Sequence, residues 1–499
     1  MKYSLINKLF IILILANCKD SNVRNFSENE NNDSYKEKVV VLSEKGTFTL
    51  NDFKNTIQLA KKFHLDGDKI NDSVALADAA AAAVENLNVN LYFYSESYYR
   101  EHEGTSIPIG NIHKTSPTDS FILLKLNNKS VIQNKNESNS KERASKNLKE
   151  KQEIYNSLVK LKFTEEDFER IISYVNQNYS KITNKEKPLA LMNNLFFSAA
   201  NGYLRSLDPY SIITKVNLDD DITTTNENDS KLNEISGKYL KTEKLIYIKI
   251  PSFSIFGEEN SVQLIKNIYN NLQNELSKEK DSARGIILDL RDNPGGYLNQ
   301  VIDTVDLFLE DGEILITKIK GKSNESAYAR KSVITKLPIG ILVNSKTASG
   351  AEIVAGSLQE NKRAILFGER TFGNGSIQKL MSLPENNSFV LKVTVSRYFL
   401  PSGISTQVNG LIPDILISSE EDGSFPERLR EEDKWKHLPS LKTENEFISV
   451  YDVDKINKLI SLKGKSNFEQ SEFKIHGQPD YALIRSLDAF DAYLKVHHN

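Results

Sequence analysis

The sequence has few of the residues that build disulfides and metal sites. Cys18 is its only cysteine, so no internal disulfide can form and the fold must rest on packing. Its seven histidines leave the stretch between His113 and His437 without one. No cysteine or histidine cluster has metal-ligand spacing, so we expect no metal and no cofactor. A formal net charge of −3 argues against a nucleic-acid partner.

Long apolar runs are also scarce. The run Leu9–Leu15 follows two lysines, is too short to span a bilayer, and is typical of a secretory signal. It leads into Ala16-Asn17-Cys18, which is similar to a bacterial lipoprotein cleavage box with Cys18 as the acylated residue, although Asn17 stands where small residues are normal. An incidental thiol is the alternative. We expect an exported lipoprotein held through Cys18 on the periplasmic side of a bacterial envelope membrane.

Composition and periodicity divide the rest of the chain into helical and polar stretches. Alanine-rich Val74–Leu87 predicts a helix, and Thr164 with Asp167 predicts a helix N-cap before Phe168. Four tyrosines near Tyr94 are more typical of helix packing than of a ligand site. The predicted segments are a signal peptide (1–18), a polar tether (19–45), a helical region (46–127), a linker or exposed helix (128–152), a second helical region (153–217) and an acidic linker (218–235).

Residues 236–418 alternate short apolar runs with amphipathic stretches, which predicts an α/β core of βαβ type. The expected strands are 285–290, 339–343, 364–367 and 390–399, and the expected helices are 296–309 and 349–358. A C-terminal extension (419–499) ends in a predicted helix over 480–496. We therefore expect one α/β domain behind an α-helical N-terminal region.

Three motifs in this core carry residues suited to acyl transfer. They are Leu-Asp-Leu-Arg-Asp-Asn-Pro-Gly-Gly (288–296), Thr-Ala-Ser-Gly-Ala-Glu (347–352) and Thr-Phe-Gly-Asn-Gly-Ser-Ile-Gln (371–378). Ser349 follows a buried strand and begins a helix, where free backbone N–H groups suit a nucleophile that forms an oxyanion. Ser349 and Glu352 also fit a capping box, in which the hydroxyl only caps the helix.

Together the three motifs resemble those of the C-terminal processing (tail-specific) serine peptidases. The resemblance implies a Clp-protease/crotonase-like core with Ser349 as nucleophile. It also implies an oxyanion hole made by Gly295 or Gly296 together with Gly350, and it gives Gln378 the role of orienting a lysine base. The expected partner is a protein or peptide.

The lysine itself is missing at its expected position. The family spacing places it 25 residues after Ser349, where this chain has Asn374, and an amide cannot accept the serine proton. Lys379 should face away from Gln378 on a strand, whereas Lys346, in the turn before Ser349, stays open as a substitute.

A PDZ domain would normally stand where this chain has the acidic linker, and the 17 residues of Leu218–Glu234 are too few to build one. We expect an envelope serine endopeptidase impaired by the loss of its base and of its substrate-capturing domain. The alternative is an inactive pseudopeptidase that binds peptides or regulates envelope partners.

Overall fold

The computed structural model describes residues 46–87, 91–102, 108–112, 121–125, 140–160, 162–216, 234–253, 255–256, 259–321, 323–441, 449–463, 471–475 and 477–498. Cys18, the predicted signal peptide and tether, and nearly all of the acidic linker lie outside these residues. The chain divides into two compact units. The first comprises residues 1–127, 158–221 and 378–393, and the second comprises residues 128–157, 222–377 and 394–499.

The described residues form helices and strands in both units. The helices are α1 (Leu50–Phe63), α2 (Asp72–Glu85), α3 (Glu96–His102), α4 (Ser140–Val159), α5 (Glu165–Thr183), α6 (Leu191–Arg205), α7 (Ser261–Glu279), α8 (Leu298–Asp306), α9 (Gly350–Glu360), α10 (Val453–Lys463) and α11 (Tyr481–His497). The strands are β1 (Leu91–Ser95), β2 (Pro108–Ile112), β3 (Phe121–Lys125), β4 (Ile212–Lys215), β5 (Ser236–Leu240), β6 (Leu245–Lys249), β7 (Ile255–Phe256), β8 (Glu259–Asn260), β9 (Gly285–Asp289), β10 (Glu313–Ile319), β11 (Glu325–Tyr328), β12 (Ile339–Val343), β13 (Ala364–Gly368), β14 (Ser376–Leu383), β15 (Asn386–Phe399), β16 (Ile415–Leu416), β17 (Lys474–Ile475) and β18 (Gln478–Pro479).

The first unit is mainly helical, as its composition predicts. Small side chains let α2 and α6 approach closely: a Cβ added to Gly202 would lie 2.5 Å from the Cβ of Ala82. Thr164 begins α5 with the predicted capping box, in which its side chain and that of Asp167 each bond the other's backbone N–H. One expectation is wrong here. The tyrosine stretch includes strand β1, which pairs with β3 and belongs to a three-stranded sheet that periodicity did not predict.

The second unit is built on a six-stranded sheet in the order β16-β13-β12-β9-β6-β5. All neighbours are parallel except the edge pair β5 and β6. This sheet and the helical first unit confirm the mixed α/β class with a helical N-terminal region. Helix α8 is shorter than the predicted 296–309, because residues 290–297 form a loop before it begins.

Both faces of the central sheet are covered, which explains its uninterrupted apolar strands. Along β9, Ile286 and Leu288 face one hydrophobic core and Ile287 faces the other. The second core includes α11, whose Phe490 packs edge-on against Phe367 of β13 at 6.1 Å between ring centroids. Among the described residues, no helix combines the length and apolar character needed to cross a bilayer.

Candidate active site

The three motifs meet because the strands that carry the first two are neighbours. β9 and β12 run parallel with Leu342 opposite Asp289, so their carboxyl ends open at the same edge of the sheet. β13 lies beside β12 and leads into the third motif. Topology alone thus brings together loops that are far apart in the sequence.

Hydrogen bonds then fasten the three loops to one another. The Thr347 hydroxyl donates to Leu290 O at 2.8 Å, and Ala348 N donates to Asn293 O at 2.9 Å. Phe372 N donates to Thr347 O at 2.9 Å, which ties the third loop to the second. Buried Thr347 therefore stands at the junction of all three loops.

Ser349 lies at the N-terminus of α9 in a strained backbone conformation, with φ of 53° and ψ of −117°. Such a positive φ is uncommon outside glycine and is often found at functional sites. Ser349 and Glu352 pair through the main chain of Ser349: Ser349 N donates to Glu352 Oε2 and Glu352 N donates to Ser349 O, both at 2.9 Å, and no side-chain hydrogen bond caps the helix. The half-buried Ser349 hydroxyl therefore does not cap the helix.

Two backbone amides beside Ser349 have no hydrogen-bond acceptor among the described residues, those of Gly296 and Gly350. Gly295 differs, because its N–H donates to Asn293 Oδ1 at 2.8 Å. Gly296 pairs with Phe253 in a parallel β-bridge whose hydrogen bonds are made by the residues on either side of Gly296. The N–H of Gly296 itself therefore points away from Phe253. The sequence left Gly295 and Gly296 as equal candidates for an oxyanion donor, and the geometry favours Gly296.

Glycine is required on this loop for steric reasons. Gly295 has φ of 101°, and an added Cβ would lie 2.7 Å from Gly350 N. At Gly296, with φ of 155°, an added Cβ would lie only 1.9 Å from Phe253 O. The loop can approach the start of α9 only because it lacks side chains there.

Glu352 is buried and holds the backbones of Ser349 and Asn374 together. Its Oε2 accepts hydrogen bonds from Ser349 N and from Asn374 N, both at 2.9 Å. Its Oε1 accepts from Thr371 Oγ1 at 2.6 Å and from Gly373 N at 2.9 Å. Burial raises the pKa of Glu352 to about 7, although these four donors favour the ionised form. Sequence reasoning gave this residue only a capping role.

Tyr398 makes a second connection between the same two residues. Its hydroxyl lies 2.8 Å from Asn374 O and 3.2 Å from Ser349 O, and 2.6 Å from Thr406 Oγ1. Burial raises the pKa of Tyr398 well above its ordinary value, so the hydroxyl keeps its proton. Glu352 and Tyr398 together form a backbone clamp that fixes residue 374 relative to Ser349.

The Asn374 side chain is buried and turned toward Ser376. Its Oδ1 accepts from Ser376 N at 3.0 Å and from Ser376 Oγ at 2.7 Å. Its Nδ2 makes no hydrogen bond with the described residues, and an amide nitrogen can only donate. Residue 374 therefore offers the site a hydrogen-bond donor and no proton acceptor.

Comparison with known proteins identifies the domain that holds this site. Residues 244–417 match peptidase family S41. The chain contains a peptidase family S41 domain. The match begins near the start of β6 and ends just after β16, so it takes in all three motif loops.

Relatives of the S41 domain include bacterial processing proteases. A carboxy-terminal-processing protease of Bartonella bacilliformis is 35% identical over 183 residues, covering 35% of this chain and 42% of that protein. A carboxyl-terminal-processing protease of Synechocystis sp. is 40% identical over 156 residues, covering 31% of this chain and 36% of that protein. The chain thus spans less than half the length of these relatives. A solved photosystem II D1 C-terminal processing protease is 29% identical, with a TM-score of 0.30, covering 36% of this chain and 45% of that one.

Neither lysine considered from the sequence is bound to Ser349. Lys346 is exposed over 76% of its side chain, and its Nζ lies 3.5 Å from Asp292 Oδ1. Lys379 Nζ lies 5.9 Å from the ring centroid of Phe63. Gln378 lies partly buried on β14, four residues beyond Asn374. Lys346 and Lys379 thus contact groups other than the serine.

The first motif of the S41 domain also carries a buried ion-pair cluster. Arg291 donates to both carboxylate oxygens of Asp289 and to both oxygens of Asp480, at 2.6 to 3.1 Å. Burial alone would raise the pKa of Asp289, but the Arg291 charge and hydrogen bonds hold it below its ordinary value. Asp480 is the N-cap of α11, so Arg291 fastens the last helix to the loop before Gly295.

One buried histidine contacts a carboxylate in the first unit. His64 Nε2 lies 2.9 Å from Asp208 Oδ2, and Ser211 Oγ donates to the same oxygen at 2.5 Å. Because the carboxylate stands between the ring and the hydroxyl, the imidazole cannot take the serine proton. These three residues therefore hold the segment that follows α6 in place and do not form a nucleophile–base pair. Within the described ranges, no cluster of His, Cys, Asp and Glu is arranged to hold a metal ion.

Proposed function

We propose that the S41 domain is a C-terminal-processing-type serine endopeptidase acting on envelope proteins, with acyl transfer impaired by Asn374. Ser349 is the nucleophile, and the amides of Gly296 and Gly350 bind the oxyanion. Residue 374 is the position of the missing lysine base. Gln378 is the residue that would orient that base.

One observation carries the proposal. Among the residues that the structure describes, the Ser349 hydroxyl at the N-terminus of α9 and the two neighbouring amides make no hydrogen bond. Glu352 and Tyr398 bind Ser349 and residue 374 through main-chain atoms. Preorganised donors of this kind can supply part of the acceleration even when a base is lacking. The names of the bacterial relatives support a peptide substrate.

The Asn374 amide favours a second candidate function. Because Oδ1 accepts two hydrogen bonds from Ser376, only Nδ2 is left to face a ligand. A donor there would suit a bound peptide carbonyl and would not activate the serine. Under this alternative the protein is a pseudopeptidase that binds peptides or regulates envelope partners.

A fluorophosphonate probe on the purified protein tests the proposal. We expect slow labelling of the natural protein and none of Ser349→Ala. Asn374→Lys should label about a hundredfold faster or more, because a positioned general base contributes at least that factor. Asn299→Lys, which adds the same charge at an exposed position of α8, is the matched control and should label at the natural rate.

The outcomes separate the two functions. No labelling of the natural protein, with labelling restored by Asn374→Lys, indicates the pseudopeptidase. If Asn374→Lys stays unlabelled, the assignment of Ser349 as the nucleophile fails. Labelling of the natural protein as fast as that of Asn374→Lys would refute the impairment.

We further propose that Cys18 is lipidated and holds the protein at the periplasmic face of the bacterial envelope. The cleavage box at Ala16-Asn17-Cys18 supports this location. The short acidic linker at 218–235 supports the absence of a PDZ domain from its usual place. Substrate capture then relies on the S41 domain, on the helical region, or on another envelope protein.

A further inference from the structure

The C-terminal extension packs directly on the loop that carries residue 374. We define the strap as residues 431–440 of this extension. Glu431 N donates to Phe372 O at 3.2 Å, and Lys434 Nζ lies 5.3 Å from the Phe372 ring centroid. Farther along the strap, Arg397 Nη1 donates to Pro439 O at 2.9 Å. The strap thus lies against the third motif.

A buried relay of hydrogen bonds runs from the strap to the residue after Asn374. Gly375 N donates to Gln407 Oε1 at 2.9 Å. Gln407 Nε2 donates in turn to Glu431 Oε1 at 2.9 Å and to Leu438 O at 3.0 Å. Gln407 and Glu431 are both fully buried, so the relay has no water to replace a lost partner.

The relay fixes the orientation of the Gln407 side-chain amide, which could otherwise take either of two. A glutamine side chain can turn its oxygen or its nitrogen toward Gly375, and only the oxygen accepts the Gly375 N–H. The carboxylate of Glu431 and the carbonyl of Leu438 are acceptors, so they require the nitrogen on their side. Glu431 and the Leu438 carbonyl therefore together fix the Gln407 oxygen on Gly375.

We infer that Glu431 is a positioning residue for the site: through Gln407 it holds the 372–375 loop, and with it residue 374, in place. Glu352 holds the same loop independently, through Gly373 N and Asn374 N. The strap therefore supports the candidate site although it lies outside the residues 244–417 that match the S41 family. The inference rests on the proposed function only where it concerns catalysis.

Hydrogen exchange tests the positioning without requiring activity. Glu431→Ala should speed amide exchange of peptides covering residues 371–377 by roughly tenfold or more, the factor expected when a hydrogen bond to a charged group is lost. Glu427→Ala, a change at an exposed glutamate of the same extension, is the matched control and should leave that exchange unchanged. Exchange in β9 and β12 should stay slow in both variants.

A second arm measures the consequence for catalysis in an Asn374→Lys background. Glu431→Ala should slow fluorophosphonate labelling by roughly tenfold or more, because the base would be displaced. Glu431→Gln keeps an oxygen that can accept from Gln407 and should restore most of the rate. Should Glu431→Ala fail to fold, Glu431→Met, which keeps the side-chain volume, replaces it in both arms.

The inference is overturned if Glu431→Ala leaves exchange of 371–377 equal to that of Glu427→Ala. It is also overturned if exchange rises equally in β9 and β12, which would mean general destabilisation. Absence of labelling in Asn374→Lys itself would refute the proposed function, and the exchange arm would still decide the role of Glu431.

Discussion

Two opposite effects act on the ionisation of the Glu352 side chain. Four donors surround its carboxylate and favour the charged form, while complete burial favours the neutral form. Burial prevails, since the pKa rises from an ordinary 4.5 to about 7. The ionised form that suits the backbone clamp is thus reached only near neutral pH.

This conflict predicts a pH-dependent stability. Because the folded-state pKa lies above the unfolded one, the protonated carboxyl stabilises the fold below about pH 4.5, and this contribution is lost as the pH rises through 7. The shift corresponds to roughly 3 kcal/mol. Urea unfolding from pH 4.5 to 8 should show the natural protein losing stability relative to Glu352→Gln, which does not titrate there. Parallel curves for the two proteins would contradict the assignment.

Sequence reasoning could single out Ser349 and Asn374 as candidates, but not Tyr398 or Gln407. Ser349 and Asn374 both stand in recognisable motifs, and the parallel strands before those motifs make their meeting predictable. Tyr398 and Gln407 carry no such signal, because an aromatic residue in a strand and a glutamine in a loop are ordinary. Only tertiary packing shows that they contact the loop of residue 374.

Among the structural elements, the last helix depends on a charge cluster in the first motif. Asp480 caps α11 by accepting from Leu483 N at 3.0 Å, and it also accepts from Arg291. The sequence predicted this helix and the Asp289–Arg291 motif separately. Nothing in the sequence relates residues 189 positions apart, so their pairing could not be predicted.

Removing the shared cation should cost more than removing one of its two anions. Arg291→Leu leaves Asp289 and Asp480 buried without a counter-charge, so we expect a loss of about 3–5 kcal/mol in the free energy of unfolding. Asp480→Asn keeps the helix cap and leaves a neutral Asp289–Arg291 pair, so the loss should be about 1–2 kcal/mol. Urea denaturation measures both.

An exposed ion pair on the same helix provides the control. Arg284 Nη1 lies 2.7 Å from Asp491 Oδ1 of α11, and 39% of the arginine side chain is exposed. Arg284→Leu should cost about 1 kcal/mol or less, because surface pairs contribute little. Equal losses in Arg284→Leu and Arg291→Leu would show that burial of the cluster does not matter.

At the scale of the whole molecule, the S41 domain occupies about a third of the chain. In the sequence, the predicted helical regions and acidic linker precede residues 244–417, and the extension follows them. The mixed α/β class and the helical N-terminal region followed from composition and periodicity. The three-stranded sheet formed by β1, β2 and β3 could not be predicted in this way, because its short strands lie in a stretch whose sequence pattern is mostly helical.

The proposed lipidation of Cys18 predicts that the protein associates with membranes. Expressed in a bacterial host, the natural protein should incorporate radiolabelled fatty acid and sediment with membranes, whereas Cys18→Ser should do neither, because the thiol is the acylated group. Asn17→Ala, which brings the cleavage box closer to its usual form, should be processed at least as well. Equal membrane recovery of the natural protein and Cys18→Ser would rule out this anchor.

The backbone clamp has a consequence for how this protein can change over generations. Glu352 and Tyr398 contact residue 374 through its main-chain N–H and carbonyl, so neither contact depends on which side chain stands there. Codons for asparagine and lysine differ in their third base alone. A point mutation at that base would exchange the amide for an amine while both main-chain contacts persisted. Asparagine and lysine at residue 374 are therefore one nucleotide change apart.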